Sequence, residues 1–221
     1  MDRLGLALPN TGREQILAAV HRIMQGSFNP EAIFYAQDNN ISKDDATSGV
    51  TIQTMVRGNE NDRSGAGVYF TENVANGLGG PSVQWDTKAQ GEDVVAGRTS
   101  KKRNLDELKN EFPIIAFNLM TIGEFLQEEI YHNAQDIEPT FQSTGADGTE
   151  KLYILQTRDA KRTTEAEFAL AWDMAKRGLI SREEAVLRIT AKEIANQLLN
   201  SRFDPAYPHT CQRNVLTEVP G

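Results

Sequence analysis

Cysteine is almost missing: Cys211 is the single one in 221 residues, so no internal disulfide can form. The three histidines, His21, His132 and His209, stand in no spacing with it that resembles a zinc site. Long apolar runs are also lacking. The patch Leu4 to Leu8 is preceded by Asp2, broken by Gly5 and stopped by Pro9, which excludes the apolar core of a secretory leader. No stretch approaches the ~20 apolar residues that span a bilayer. Basic excess is absent too. Thirty-one acids against 23 bases leave a formal charge of −8, which argues against nucleic acid or an anionic membrane as partner. Together these absences predict a soluble chain in a reducing, cytoplasmic setting. What is present supports folding: 39% hydrophobic residues, 17 glycines and only 24% charged residues suit one large or two small cores.

A first helix is announced by the capping pair Thr11 and Glu14, the stripe Ile16, Leu17, Val20, Ile23 and Met24, and the stop at Gly26. Asn29-Pro30-Glu31 caps a short second helix through Tyr35. From Ser48 the period changes to two: Val50, Ile52, Thr54 and Val56 alternate with polar or longer side chains and predict a strand. A second strand is expected from Val68 to Thr71, after the polar loop Gly58 to Gly67, and a weaker one around Val83 to Trp85. Helical spacing returns at Leu105, Leu108 and Phe112 and, past Pro113, runs on to Ile130. Two strands follow, Asp136 to Gln142 and Lys151 to Arg158, joined through a Gly- and Asp-containing turn. Three helices are then expected: Thr164 to Arg177 closed by Gly178, Ser181 to Ile189 with a Ser181–Glu184 cap, and Thr190 to Asn200. After Phe203 the chain reads as a Pro-punctuated tail. The expected divisions are 1–47, two helices; 48–163, a sheet-bearing lobe; 164–203, a helical subdomain; and 204–221, a tail.

The hairpin carries the chemistry. Asp136 and Glu138 share one face of their strand, as Gln156 and Arg158 do on theirs. A turn centred near Ala146 or Asp147 sets Glu138 opposite Gln156 and Asp136 opposite Arg158. Two carboxylates beside an amide and a guanidinium suit Mg²⁺ held against phosphates; the ordinary alternative is a solvated charged face with a surface ion pair. Glu92 and Asp93 lie between glycines in Gln90 to Gly97, read as a loop edge or turn. Ser64-Gly65-Ala66-Gly67 offers either a phosphate cradle or a plain hairpin turn.

In order, Ser64-Gly65-Ala66-Gly67-Val68-Tyr69-Phe70-Thr71, Gln90-Gly91-Glu92-Asp93-Val94-Val95-Ala96-Gly97, Gln135-Asp136-Ile137-Glu138 and Lys151-Leu152-Tyr153-Ile154-Leu155-Gln156-Thr157-Arg158 with Lys161-Arg162-Thr163 resemble the later part of the ATP-grasp nucleotide-binding domain of the pyruvate, phosphate dikinase family. The resemblance runs from about Gln15 to Phe203. It is closer to that family than to phosphoenolpyruvate synthases or glucan water dikinases.

The resemblance implies an α+β fold: an ATP-grasp-like lobe with a mainly antiparallel sheet, plus a C-terminal helical subdomain. It implies ATP as substrate and Mg²⁺ as cofactor. Nucleotide-binding roles fall on Glu92, Asp136, Glu138, Gln156 and Arg158, metal ligation on Asp136 and Glu138, and catalytic roles on Gln156 and Arg158. It further implies as partners the other ATP-grasp lobe, a phosphohistidine domain and a pyruvate-binding barrel, on the same or another chain. None of the three histidines has the Thr/Gly-rich setting of the family's phosphoryl carrier, so this chain alone is expected not to complete the family reaction. An apolar docking surface for the other lobe is expected between Val50 and Thr71. The sequence departs from the family at Glu72, where a basic residue is usual, at Gln84, where an acid is usual, and at Pro139, which removes a ladder donor and predicts a bulge. Alternative readings are a non-catalytic binding or regulatory module, a part of a phosphoenolpyruvate synthase-like enzyme, and a structural domain without ligand.

Overall fold

In the first turn of the chain's first helix, two otherwise unpaired amides are satisfied by side chains. Thr11 Oγ1 accepts from the Glu14 N–H at 3.3 Å, and Glu14 Oε2 accepts from the Thr11 N–H at 3.2 Å, opening α1 (Gly12–Gly26). Pro30 then starts α2 (Pro30–Asp38). The computed structural model describes residues 9–38, 41–42, 49–97, 103–143, 149–190 and 194–195. The turn expected at 144–148, most of the helix expected after Thr190, and the tail with His209 and Cys211 lie outside the described residues. The chain divides into two compact units, Met1–Met55 and Val56–Gly221. In the first, neither helix buries a residue, and Ile16, Leu17, Ile23 and Met24 are exposed.

The second unit is built on a four-stranded antiparallel sheet. Its strands are β1 (Gly65–Phe70), β2 (Ser82–Thr87), β3 (Gln135–Ser143) and β4 (Glu150–Asp159), in the spatial order β2-β1-β3-β4. Because side chains alternate across a strand, the register sorts every residue to one of two faces. Val83, Trp85, Tyr69, Ile137, Phe141, Leu152 and Ile154 point to one side and form a core with Leu108, Phe112, Ile115 and Leu119. These last come from α4 (Leu105–Glu111) and α5 (Pro113–Phe125) and the link between them. Asn104 caps α4 by accepting from the Glu107 N–H. Phe112 breaks the helix because a residue before proline is disfavoured in the α region. A π-helical turn, Leu126–Tyr131, extends α5 and ends at His132 in the left-handed region, where one continuous helix was expected.

A second cluster gathers Ala134, Ala160, Leu170, Ala171, Met174, Ile180 and Ala185, with Phe70 and Val74 against it. It seats α6 (Thr164–Arg177), closed by Gly178 at φ 77°, and α7 (Arg182–Leu187), capped by Ser181. No helix among the described residues is long and apolar enough to cross a membrane.

Three expectations are corrected. Residues 49–57 form no strand; Ile52 and Met55 are 66% and 71% exposed. The alternation there supplies β propensity, but propensity makes a strand only where an edge is available to pair with, and this segment runs across the boundary between the two units. Of the surface expected between Val50 and Thr71, therefore, the β1 part is not open, because β1 is central in the sheet and mostly buried; the exposed residues are this segment and the polar stretch 59–63. Gly65 and Gly67 belong to β1 and not to a hairpin turn. A Cβ on Gly65 would strike the Phe141 ring and lie 2.7 Å from the Asp86 carbonyl oxygen, so glycine here permits close packing. The run Gln90 to Gly97 folds as a short helix, α3 (Gly91–Val95), in which the Gln90 N–H donates to Asp93 Oδ2 at 3.4 Å.

Candidate functional site

The sheet face opposite α4 and α5 carries the charged side chains. Asp136 pairs with Arg158 and Glu138 with Gln156 across β3 and β4, the register expected from the sequence. Phe70 pairs with Asp136 on the other side and with Ser82 beyond it, so Phe70 and Ser82 share this face. By the same alternation Val68, Gln84 and Asp86 belong to it.

How β4 reaches this face depends on one irregularity. Leu152, Ile154, Gln156 and Arg158 are spaced by two and would share a side in a regular strand, yet Leu152 and Ile154 pack in the core. The register shifts between Glu138 and Pro139: Glu138 faces Gln156, but Pro139 faces Ile154. Leu155 is the extra residue of a β-bulge, and it turns the last half of β4 over. Pro139 has no N–H to offer the ladder at this point, so the bulge interrupts pairing where a donor is already missing.

Asp136 is 7% exposed. Its Oδ2 accepts from Arg158 Nε at 2.8 Å, while Oδ1 is buried and has no hydrogen-bond partner. Arg158 Nη2 lies 3.6 Å from Glu138 Oε1. One guanidinium thus spans both carboxylates, and its own pKa is raised above the ordinary value, first by the hydrogen bond to Asp136 and further by the two negative charges, against the effect of burial. Gln156 and Arg158 are exposed. The four residues form a group with a wet side, at Arg158 and Gln156, and a dry side, at Asp136.

Glu92 is not part of that group. It is exposed on α3, whose preceding loop is tied to the far end of β1: the Lys88 N–H donates to the Ser64 carbonyl at 2.9 Å and the Gly58 N–H to Gln90 Oε1 at 3.4 Å. Gly65 pairs opposite Phe141 and Phe70 opposite Asp136, so the two ends of β1 are about 16 Å apart at the usual rise per residue.

Sequence reading also passed over a polar group beside α5. Glu72, Gln127, Glu128 and Arg177 form a connected set, with Gln127 Nε2 donating to Glu72 Oε1 at 2.8 Å and Arg177 paired with Glu128. The available signal was Glu124 and Glu128, four apart along the helical stretch, which places both on one side.

An antiparallel sheet with α4 and α5 packed on one face and carboxylates, an amide and a guanidinium on the other defines an α+β domain. Residues 6–119 match the family described as pyruvate phosphate dikinase, AMP/ATP-binding domain, and the chain belongs to that family. The pyruvate, phosphate dikinase of Clostridium symbiosum is 39% identical over 203 residues, covering 91% of this chain and 22% of the relative. That of Rickettsia prowazekii (strain Madrid E) is 36% identical over 218 residues, covering 97% and 24%. Pyruvate, phosphate dikinase 1, chloroplastic, of Arabidopsis thaliana is 32% identical over 207 residues, covering 93% and 20%. The chain therefore spans between a fifth and a quarter of the length of these relatives.

Proposed function

We propose that the chain is the ATP- and Mg²⁺-binding part of a pyruvate, phosphate dikinase-type phosphotransferase, with an ATP-grasp-like lobe as its working fold. The observation that carries the reading is the convergence of Asp136, Glu138, Gln156 and Arg158 on one sheet face, with the Asp136 Oδ1 buried and unpartnered. A buried acceptor without a donor is an unmet demand for a cation or a hydrogen-bond donor.

The residues present fit Mg²⁺. Among the described residues no group of three or more His, Cys, Asp or Glu is placed to hold a metal ion, but Mg²⁺ is commonly held by one or two carboxylates together with substrate phosphates. Asp136 and Glu138 supply two. When bound, the cation would neutralise phosphate charge in the transferring group.

The chain's own residues do the rest of the work. Phosphoryl transfer calls for positioning and charge neutralisation more than for a covalent role. Arg158 sits where its guanidinium can exchange the carboxylates for phosphate oxygens, to which its planar fork is well matched. Gln156 contributes an amide beside it, able to donate to one oxygen and accept from another group. A nucleoside triphosphate is an elongated ligand, so Glu92 at the other end of β1 would meet its nucleoside end while Asp136 and Glu138 meet its phosphates.

The test is calorimetric titration of the chain with Mg-ATP. Weak, metal-dependent binding is expected, abolished by Asp136→Ala and by Glu138→Ala. Equal binding by both variants returns the face to an ordinary charged surface.

A further inference from the structure

A second place in the molecule leaves a buried polar atom without a partner, and it lies on the helix-covered side of the sheet, away from Asp136. There a cavity of about 250 Å³ has Tyr69, Glu72, Met120, Glu124, Gln127, Glu128 and Arg177 among its lining residues. Gly123 lets two of the lining residues pack close to α5: a Cβ at that position would lie 2.6 Å from the Tyr69 ring and 3.1 Å from the Thr71 methyl.

Gln127 is 4% exposed. Its Nε2 is used by Glu72 at 2.8 Å, and its Oε1 has no hydrogen-bond partner. The charges here are unequal. Glu72, Glu124 and Glu128 face a single guanidinium, Arg177, which pairs with Glu128 and lies 3.8 Å from Glu72 and 3.5 Å from Asp173. Glu124, on the exposed side, has no hydrogen bond or ion pair among the described residues. The remaining wall is apolar: the Met120 side chain, the Tyr69 ring and Pro81.

We propose that this cavity binds an alkylammonium group. An ammonium carries three N–H donors and no acceptor, which answers an orphaned amide oxygen and an unpaired carboxylate together, and its methylenes suit the Met120 and Tyr69 wall. The site is independent of the nucleotide reading of the opposite face.

The experiment titrates the full chain with 1,4-diaminobutane, followed by calorimetry and by the amide NMR signals of Gln127. A blocked tripeptide, Gly-Lys-Gly, is the second probe, and the control is 1,4-butanediol, which has the same length without charge. Saturable binding of the diamine or of the tripeptide, but not of the diol, is expected; the tighter of the two assigns the ammonium to a free amine or to a polypeptide side chain. Because Glu124 is exposed, Glu124→Gln leaves the fold intact, and it is expected to weaken binding about three- to tenfold. Gln127→Leu should weaken it at least as much, with a thermal melt confirming that the variant folds. Equal binding of diol and diamine, no saturation by either amine, or unchanged affinity in Glu124→Gln overturns the proposal.

Discussion

Replacing Arg158 with alanine removes the donor to Asp136 Oδ2 and leaves the carboxylate with both oxygens unsatisfied. The two sides of the pair contribute differently. The Arg158 side chain is 52% exposed, so the attraction itself is screened and is worth at most about 1 kcal/mol. The Asp136 side chain is 9% exposed, and a buried acceptor stripped of its partner costs a further ~1 to 3 kcal/mol. The sum is about 2 kcal/mol. For a domain of this size each kcal/mol moves the melting temperature by about 2–4 °C, giving a fall of about 4–8 °C. Thermal melts of the wild type, Arg158→Ala, Asp136→Asn and the double variant test this as a cycle. The double variant should recover most of the loss, because an amide needs no counter-cation. Millimolar Mg²⁺ should raise the melting temperature of Arg158→Ala more than that of the wild type, since the competing guanidinium is gone. An Arg158→Ala melt within about 1 °C of wild type, a loss smaller than any estimate from burial, would refute the reasoning; so would equal Mg²⁺ responses in all four proteins.

Gly65→Ala should lower the urea midpoint by an amount corresponding to about 2 kcal/mol or more, because its Cβ meets the Asp86 carbonyl and the Phe141 ring; an unchanged midpoint would contradict the register of β1. Ile137→Ala should cost about 3 kcal/mol from the core side without altering Mg-ATP affinity, a separation that parallel melts and titrations can check. Burial, assisted by Glu72 and Glu124, pushes the Tyr69 phenol well above its ordinary value. The unfolded chain therefore releases this proton first, so stability is full below about pH 10 and falls as pH rises beyond it. Urea midpoints measured from pH 9 to 11 should show that decline in the wild type and a smaller one in Tyr69→Phe; identical slopes would place Tyr69 in water.

The pairing of Asp136 with Arg158 and Glu138 with Gln156 was legible because hairpin register follows from a period of two once the turn is located. Pro139 even marked where the ladder would fail. The Thr11 and Ser181 caps and the Gly178 stop were legible for a similar reason: each is a local bond between residues three or four apart. Residues 50–56 had an equally clean period, but whether an edge exists to receive a strand is settled by the whole sheet. Gly65 and Gly67 read as turn residues because glycine is permissive in turns and also where side chains crowd, and only the position of Phe141 distinguishes the two. Glu92, read as part of a loop edge or turn, lies instead on a short helix that follows a loop tied to the opposite end of β1. The Gln127 cavity was invisible because it joins residues from β1, α5 and α6, whose meeting depends on tertiary packing.

The six residues Tyr153 to Arg158 act as a portable side-changer. They enter with Ile154 directed to the helices and leave with Gln156 and Arg158 directed away from them, all within one strand and against a proline on the neighbour. Grafted opposite a proline in an unrelated antiparallel hairpin, such a cassette would deliver an amide and a guanidinium to the solvent side while its first half still anchors to the host interior. The same property makes alignment by hydropathy treacherous: a gap placed one residue away in this strand exchanges anchoring positions for presenting ones, although every letter still matches a plausible strand.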